Sequence, residues 1–140
     1  MAEQRRSVGK EAGGGEPAAA VPRPLRARVF REILAGLSNV ASIRGGLLVT
    51  PDGLVITADL PPRTQVEALA ALGATLGREL ELGAGRLGRG AFRMALFVAD
   101  NGTLFIGSSR VGFLILLGDR NADVSSVRMA LARALDRLQH

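Results

Sequence analysis

Residues 43–58, IRGGLLVTPDGLVITA, predict a β-hairpin. The run from Ile43 to Val49 is mostly apolar, and a second apolar run extends from Leu54 to Ala58. The Pro-Asp-Gly sequence at positions 51–53 consists of residue types that favour a tight turn. We therefore expect two neighbouring antiparallel strands joined by a short connection, and these strands are the reference for the segments on either side.

Helical patterns flank this hairpin on both sides. Before it, apolar residues from Leu25 to Leu37 recur at helical spacing, which predicts a helix ending near Ser38. After it, Pro61 and Pro62 end the hairpin and open a second helix, whose apolar positions run from Val66 to about Leu82. The hairpin thus connects two helices.

Three further strands and a closing helix follow a glycine-rich loop. Residues Phe92 to Val98 alternate in character, and Asn101-Gly102 supplies a hairpin turn before the next strand. The strand from Val111 to Leu117 is apolar throughout, which suits the middle of a sheet covered on both faces. Asn121 is expected to cap a last helix that runs from Val124 to Leu138. The predicted fold is a layered α/β domain of order α-β-β-α-β-β-β-α, with a five-stranded, mostly antiparallel sheet and helices on both faces.

The first 24 residues differ in composition from the rest. They contain three consecutive glycines at 13–15, three consecutive alanines at 18–20 and three prolines, with almost no large apolar side chain. A segment of this kind buries too little apolar surface to offset its ordering entropy. We expect residues 1–24 to form a disordered tail and residues 25–140 to form a single domain.

The residue inventory argues against an enzyme. The chain has no cysteine, its one histidine is His140 at the end, and its one lysine is Lys10 in the tail. Thiolate catalysis, zinc–thiolate sites, imidazole bases and Schiff-base chemistry therefore lack their side chains. Glu79 and Glu81 lie about 200° apart around a helix, so they do not form a paired carboxylate site. We expect no catalytic residue, no metal and no cofactor.

Charge and hydropathy point to a cytoplasmic protein that is not inserted in a membrane. The longest strongly apolar run, Val111 to Leu117, is far shorter than the roughly 20 residues of a membrane-spanning helix, and no secretory signal pattern is present. The formal net charge is +5, but the arginines are spread along the chain among carboxylates, and Trp and Tyr are absent. Nucleic-acid binding is therefore not favoured.

Gly83, Gly85 and Gly88 match the pattern GxGxxG, which in other contexts surrounds a pyrophosphate. Here the glycines follow a helix and precede a strand, so no helix N-terminus is aimed at a phosphate. We interpret the segment as a mobile connection that carries Arg86 and Arg89.

The second helix has two apolar stripes. The bulky stripe consists of Leu69, Leu72, Leu76 and Leu80, and the small stripe of Val66, Ala70, Gly73 and Gly77. Each interior glycine costs about 1 kcal/mol relative to alanine, so the small stripe needs a compensating contact. We expect the leucines to cover the sheet and the small stripe to admit a second helix closely. The alternative, in which the glycines accommodate the chain's own sheet, stays open.

The third strand suggests a matching contact. Phe92, Met94 and Leu96 would form an apolar sheet edge in which Arg93 is the only charged residue that opposes pairing. Such an edge favours a partner strand. One two-fold axis could pair both the helix and the strand with a second copy. The predicted dimer interface therefore consists of Val66, Ala70, Gly73, Gly77, Phe92, Met94 and Leu96.

Four segments together resemble the Roadblock/dynein light chain family, whose fold is profilin-like. They are the hairpin 44–58, the Ala- and Leu-rich helix from Val66, the Asn101-Gly102 turn, and residues 116–128, LLGDRNADVSSVR. The resemblance covers about Val29 to Leu138. It implies a homodimer, or a heterodimer with a paralogue, in which edge strands join and the second helices lie side by side.

The resemblance also implies a regulator or scaffold of a small Ras-like GTPase, as in bacterial gliding and polarity systems, where such a dimer stimulates GTP hydrolysis by repositioning the GTPase's own residues. Glu67 and Arg78, on the solvent side of the second helix, are the candidate GTPase contacts. Two alternatives stay open: a structural dimerisation and recruitment subunit that leaves GTP hydrolysis unchanged, and a small-ligand-sensing domain.

Overall fold

The computed structural model describes residues 23–139, with side chains from residue 26 onward. The helices are α1 (Arg23–Ser38), α2 (Val66–Arg86) and α3 (Val124–Gln139), and the strands are β1 (Ile43–Val49), β2 (Val55–Asp59), β3 (Met94–Ala99), β4 (Gly102–Ser108) and β5 (Phe113–Gly118). The predicted order of elements is confirmed. Most of the predicted tail lies outside the described residues, although α1 already begins at Arg23, two residues before the predicted domain boundary.

The five strands form one antiparallel sheet in the order β2-β1-β5-β4-β3. β5 lies at the centre, as its uniformly apolar sequence predicts, and pairs Ile115 with Leu47 on one side and with Ile106 on the other. β2 and β3 are the two edges. The outer edge of β3 has no partner strand within residues 23–139.

Helices cover both faces of the sheet. On one face, α1 and α3 pack over side chains that include Leu48, Phe105 and Leu114, and we call this the α1/α3-side core. On the other face, α2 packs over Leu47, Phe113 and other residues, and we call this the α2-side core. Neighbouring strand residues alternate between the two cores, which is the expected consequence of the two-residue period of a β-strand.

Local chemistry explains the turns and caps. At the β1–β2 connection, Gly53 adopts φ +91° and its N–H donates to the Thr50 carbonyl at 2.9 Å, while the Thr50 hydroxyl accepts from the Leu54 N–H at 3.0 Å. The N-terminus of α3 is capped by Asp123, not by Asn121 as the sequence suggested. The Asp123 carboxylate accepts from the Ser126 hydroxyl at 2.8 Å and from the Ser126 N–H at 3.4 Å, and these hydrogen bonds lower its pKa.

The α2 helix is longer than predicted. Gly83 and Gly85 lie within its last turn and a half, and the carbonyls of these two glycines accept hydrogen bonds from Leu87 and Gly88. Of the three glycines in the GxGxxG pattern, only Gly88, with φ +67°, belongs to the following loop. The first two glycines of the GxGxxG pattern are therefore helical, and the segment lacks the shape of a phosphate-binding loop.

Candidate interaction surface

The small stripe of α2 faces the chain's own sheet. Ala70 is 0% exposed, and Gly73 and Gly77 are also buried. A methyl group added at Gly77 would lie 2.6 Å from the Phe113 ring, and one added at Gly73 would collide with the Ile115 side chain. The glycines therefore allow α2 to approach two large side chains of the central strand.

This geometry reverses the predicted orientation of α2. The expectation that Ala70, Gly73 and Gly77 meet a second helix is wrong, because all three are buried inside the monomer. The alternative in which the glycines accommodate the sheet is confirmed. The physical reason is the size of Phe113 and Ile115, which fill the space that leucines on this side of the helix would need.

The leucine stripe lies on one flank of α2. Leu72 is 51% exposed and Leu80 is 37% exposed, whereas Leu69 and Leu76 are half-buried at the margin of the α2-side core. The opposite flank carries Arg78, whose guanidinium donates to the Pro51 carbonyl in the β1–β2 turn. Because that turn lies beyond β1 and β2, the leucine flank is directed toward β4 and the edge strand β3.

The edge strand exposes apolar side chains on both faces. Phe97 pairs with Leu104 of the α2-side core and is 54% exposed, so it lies on the same face as the leucine flank. Leu96 pairs with Phe105 and points to the other face, and Val98 is 69% exposed. We call the leucine flank of α2 together with Phe97 and the outer edge of β3 the α2–β3 surface.

The predicted interface residues are divided between this surface and the interior. Leu96 is exposed on β3. Phe92 precedes the strand and is half-buried against the α2-side core, together with Val66, whereas Met94 is half-buried against the α1/α3-side core. Phe92 and Val66 therefore lie on the α2 side of the sheet, and Met94 lies on the opposite face.

Sequence reasoning missed Phe97, Leu72 and Leu80 as surface residues. The alternating pattern was defined by Met94, Leu96 and Val98. It left out Phe97, because Phe97 lies on the opposite face of the same strand. The available signal was the second apolar series, Ala95 and Phe97, which predicts that β3 has two apolar faces.

Glu67 and Arg78, the predicted GTPase contacts, are both exposed. At about 100° per residue they lie on the same flank of α2, away from the leucine stripe. A partner could therefore reach these two side chains while the α2–β3 surface is covered by something else.

Within residues 23–139 no group of three or more His, Cys, Asp or Glu residues is placed to hold a metal ion. Across the same range no helix is both long and apolar enough to pass through a membrane.

Comparison with known proteins identifies the fold. The family model of the Roadblock/LC7 domain matches residues 29–119, which end just before α3. A curated relative, the uncharacterized protein MJ0310 of Methanocaldococcus jannaschii, is 25% identical over 107 residues, which cover 76% of this chain and 94% of the relative.

Solved structures agree with the family model. Myxococcus xanthus MglB superimposes with a TM-score of 0.76 at 18% identity, over 85% of this chain and 91% of MglB. The gliding protein MglB of Thermus thermophilus gives a TM-score of 0.74 at 20% identity, over 90% and 96%. An MglB structure with a tetrameric arrangement gives 0.74 at 22% identity, over 89% and 95%. These likenesses confirm the predicted fold.

Proposed function

Because the chain belongs to the Roadblock/LC7 domain family, we propose that it is a non-enzymatic, dimeric regulator or scaffold of a small Ras-like GTPase in the cytoplasm. The observation that carries the proposal is the α2–β3 surface, where leucines, Phe97 and an unpaired strand edge lie together on one side of the domain described by residues 23–139. A second copy, or a paralogue, is the partner that this surface fits.

A second copy would satisfy both halves of the surface. Two β3 edges related by a two-fold axis can exchange main-chain hydrogen bonds, and this extends the sheet across the dimer. Covering large apolar side chains such as Leu72 and Phe97 contributes roughly 1.5–3 kcal/mol for each one that is fully buried. Leu69, Leu76 and Leu80 add apolar area beside them, so the surface has the composition of an interface core.

The similar structures support this role. One MglB structure has a tetrameric arrangement, and the Thermus thermophilus protein is a gliding protein. The family resemblance implies that such dimers act on small GTPases. An activator of this kind orients the catalytic groups of the GTPase itself, so it needs no catalytic side chain of its own.

GTP hydrolysis provides the test. The purified full chain is mixed with a small Ras-like GTPase from the same organism, and phosphate release is followed with and without the chain. We expect stimulation of at least about tenfold, which is a modest effect for a GTPase activator. Replacing Glu67 and Arg78 by alanine should reduce the stimulation without changing the mass of the dimer in light scattering.

Two results would redirect the proposal. A chain that binds the GTPase but leaves the hydrolysis rate unchanged would be the structural recruitment subunit of the alternative hypothesis. A chain that stays monomeric at high concentration, both alone and with its paralogues, would contradict the proposed use of the α2–β3 surface.

A further inference from the structure

A basic cleft lies at the end of the molecule where the β4–β5 turn meets the N-terminal part of α1 and the C-terminal turn of α3. Its volume is about 260 Å³. Arg26, Arg110 and Arg137 line it together with the apolar side chains of Phe30, Val111 and Leu138. The three arginines come from three separate segments, so the fold alone brings them to one place.

A second cleft continues the first. It has a volume of about 410 Å³ and shares Arg110 with the first cleft. It is also lined by Arg93, the residue directly before β3. Asp136 is the one carboxylate among the lining residues of the two clefts within residues 26–139. The two clefts together, which we call the groove, are therefore lined by four arginines and one carboxylate, and an anionic occupant would offset this excess of positive charge.

None of these four arginine side chains forms a hydrogen bond or an ion pair with another residue within residues 26–139. Within residues 26–139, the arginine side chains that bond to another residue are Arg44, which pairs with Asp119, and Arg78, which donates to Pro51. Arg110 and Arg137 are exposed at the rim of the groove, and their guanidinium groups can meet carboxylates in the paired geometry that arginine favours.

We propose that this groove binds an acidic, partly apolar segment of a partner protein. The arginines supply charge complementarity, and Phe30, Val111 and Leu138 supply an apolar wall for side chains between the carboxylates. The cleft that holds Arg26 and Arg137 lies on α1 and α3, in the opposite layer from the leucine flank of α2. The proposal is independent of any effect on GTP hydrolysis.

Fluorescence anisotropy with the full chain tests this proposal. The probe is a labelled peptide, Glu-Leu-Glu-Ser-Leu-Glu-Phe-Glu, measured at about 0.15 M salt, where exposed charges are largely screened beyond roughly 8 Å. A matched peptide carries glutamine at each glutamate position. We expect the glutamine peptide to bind at least about tenfold more weakly, because it loses the charge-assisted hydrogen bonds.

A pair of variants locates the site. Arg110→Gln with Arg137→Gln should weaken binding of the acidic peptide at least about tenfold, since two guanidinium contacts are lost. The matched control, Arg63→Gln with Arg120→Gln, removes the same charge at the opposite end of the sheet and should change binding less than about twofold. Both pairs should keep the circular dichroism spectrum of the parent, because all four side chains are exposed.

Three outcomes would overturn the proposal. Equal loss in both variant pairs would show that net charge alone attracts the peptide. Absence of binding, or equal binding of the acidic and glutamine peptides, would show that the groove does not recognise the carboxylates of the peptide. Binding to phosphatidylglycerol vesicles through Arg110 and Arg137, with no binding of the peptide, would identify a membrane contact instead.

Discussion

The two layers of this domain cover the same sheet in different ways. On the α1/α3 side, two helices contribute large side chains such as Ile33, Leu34 and Leu131, all nearly fully buried. On the α2 side, a single helix contributes alanine and glycine, and the sheet contributes the bulk. Both layers exclude water from the sheet, but only the second leaves its leucines on the flank of the helix. A single helix with a small-residue contact face cannot cover a five-stranded sheet, so apolar area remains for a partner.

The layers also differ in charge. The exposed arginines of α1 and α3 outnumber the exposed carboxylates Glu32 and Asp136, and they are Arg26, Arg28, Arg31, Arg128, Arg133 and Arg137. The α2 helix instead carries Glu67, Glu79 and Glu81 against Arg78 and Arg86. One side of the molecule is thus suited to acidic partners and the other to an apolar contact, so two partners could be bound at once.

The largest effect is expected from Gly73→Leu, which tests how α2 packs on the sheet. The new side chain would collide with Ile115 at the centre of the α2-side core, and overpacking of this kind costs about 3 kcal/mol or more. We expect the midpoint of urea unfolding to fall sharply, or the protein to become insoluble. The control is Gly83→Leu, because a Cβ at Gly83 meets nothing within 4 Å. Wild-type stability for Gly73→Leu would mean that α2 does not lie on the sheet as described.

The second test addresses the apolar α2–β3 surface, which the monomer leaves exposed. Leu72→Glu with Phe97→Glu places two charges on the α2–β3 surface, and the dissociation constant of the dimer should rise at least about 100-fold, as expected when two apolar anchors of an interface are lost. The folded monomer should remain, since both side chains are more than half exposed. Light scattering over a dilution series measures the change.

A control for this surface is Leu82→Glu with Met129→Glu. Leu82 is 53% exposed and Met129 is 57% exposed, and both lie outside the α2–β3 surface. The control should keep the dimer mass of the parent. Equal dissociation in the two double variants would place the interface elsewhere.

A smaller effect is expected from Gly83→Ala with Gly85→Ala. Both glycines are helical, and a methyl group added at either one would meet no atom within 4 Å. Each substitution should therefore stabilise the protein by roughly 0.5–1 kcal/mol. Thermal unfolding followed by circular dichroism measures the gain. Destabilisation would show that these glycines belong to a loop, as the sequence suggested.

The smallest effect concerns Asp123. Hydrogen bonds from Ser126 lower the pKa of this carboxyl, so the folded state favours the charged form. The resulting stability is present above the unfolded pKa, near about 3.9, and is lost as the pH falls through the lower folded pKa. Asp123→Ala should therefore lower the melting temperature slightly at about pH 7, and the difference should shrink in acid. Asp123→Asn, which retains a capping oxygen, is the control, and a pH-independent difference for Asp123→Ala would argue against the ionised cap.

Much of the fold follows from local patterns in the sequence. Residues 43–49 form a strand with the predicted bounds, and the apolar run around Ile115 is the central strand. The turn at Gly53 forms as its residue types predict. These features depend on periodicity and turn chemistry, which act over a few residues and can be identified without knowing what lies opposite.

The candidate site was harder to predict. The helical spacing of α2 showed two apolar stripes, but it contained no information on which stripe meets the sheet. That choice depends on Phe113 and Ile115, which lie far along the chain on β5 and whose size leaves room only for glycine and alanine. The outward direction of Phe97 likewise depends on its pairing with Leu104.

The sequence by itself determined the order of helices and strands, the two-sided burial of β5 and the absence of cysteine. Those properties follow from composition and from short-range periodicity. Only the tertiary structure decided that Gly73 and Gly77 of α2 lie inside, that Leu72 and Leu80 lie on its exposed flank, and that Arg26, Arg110 and Arg137 line one groove. The reason is that these features depend on contacts between residues that are distant in sequence. The size or charge of one side chain limits which residue can pack beside it, and those neighbours are known only once the chain has folded.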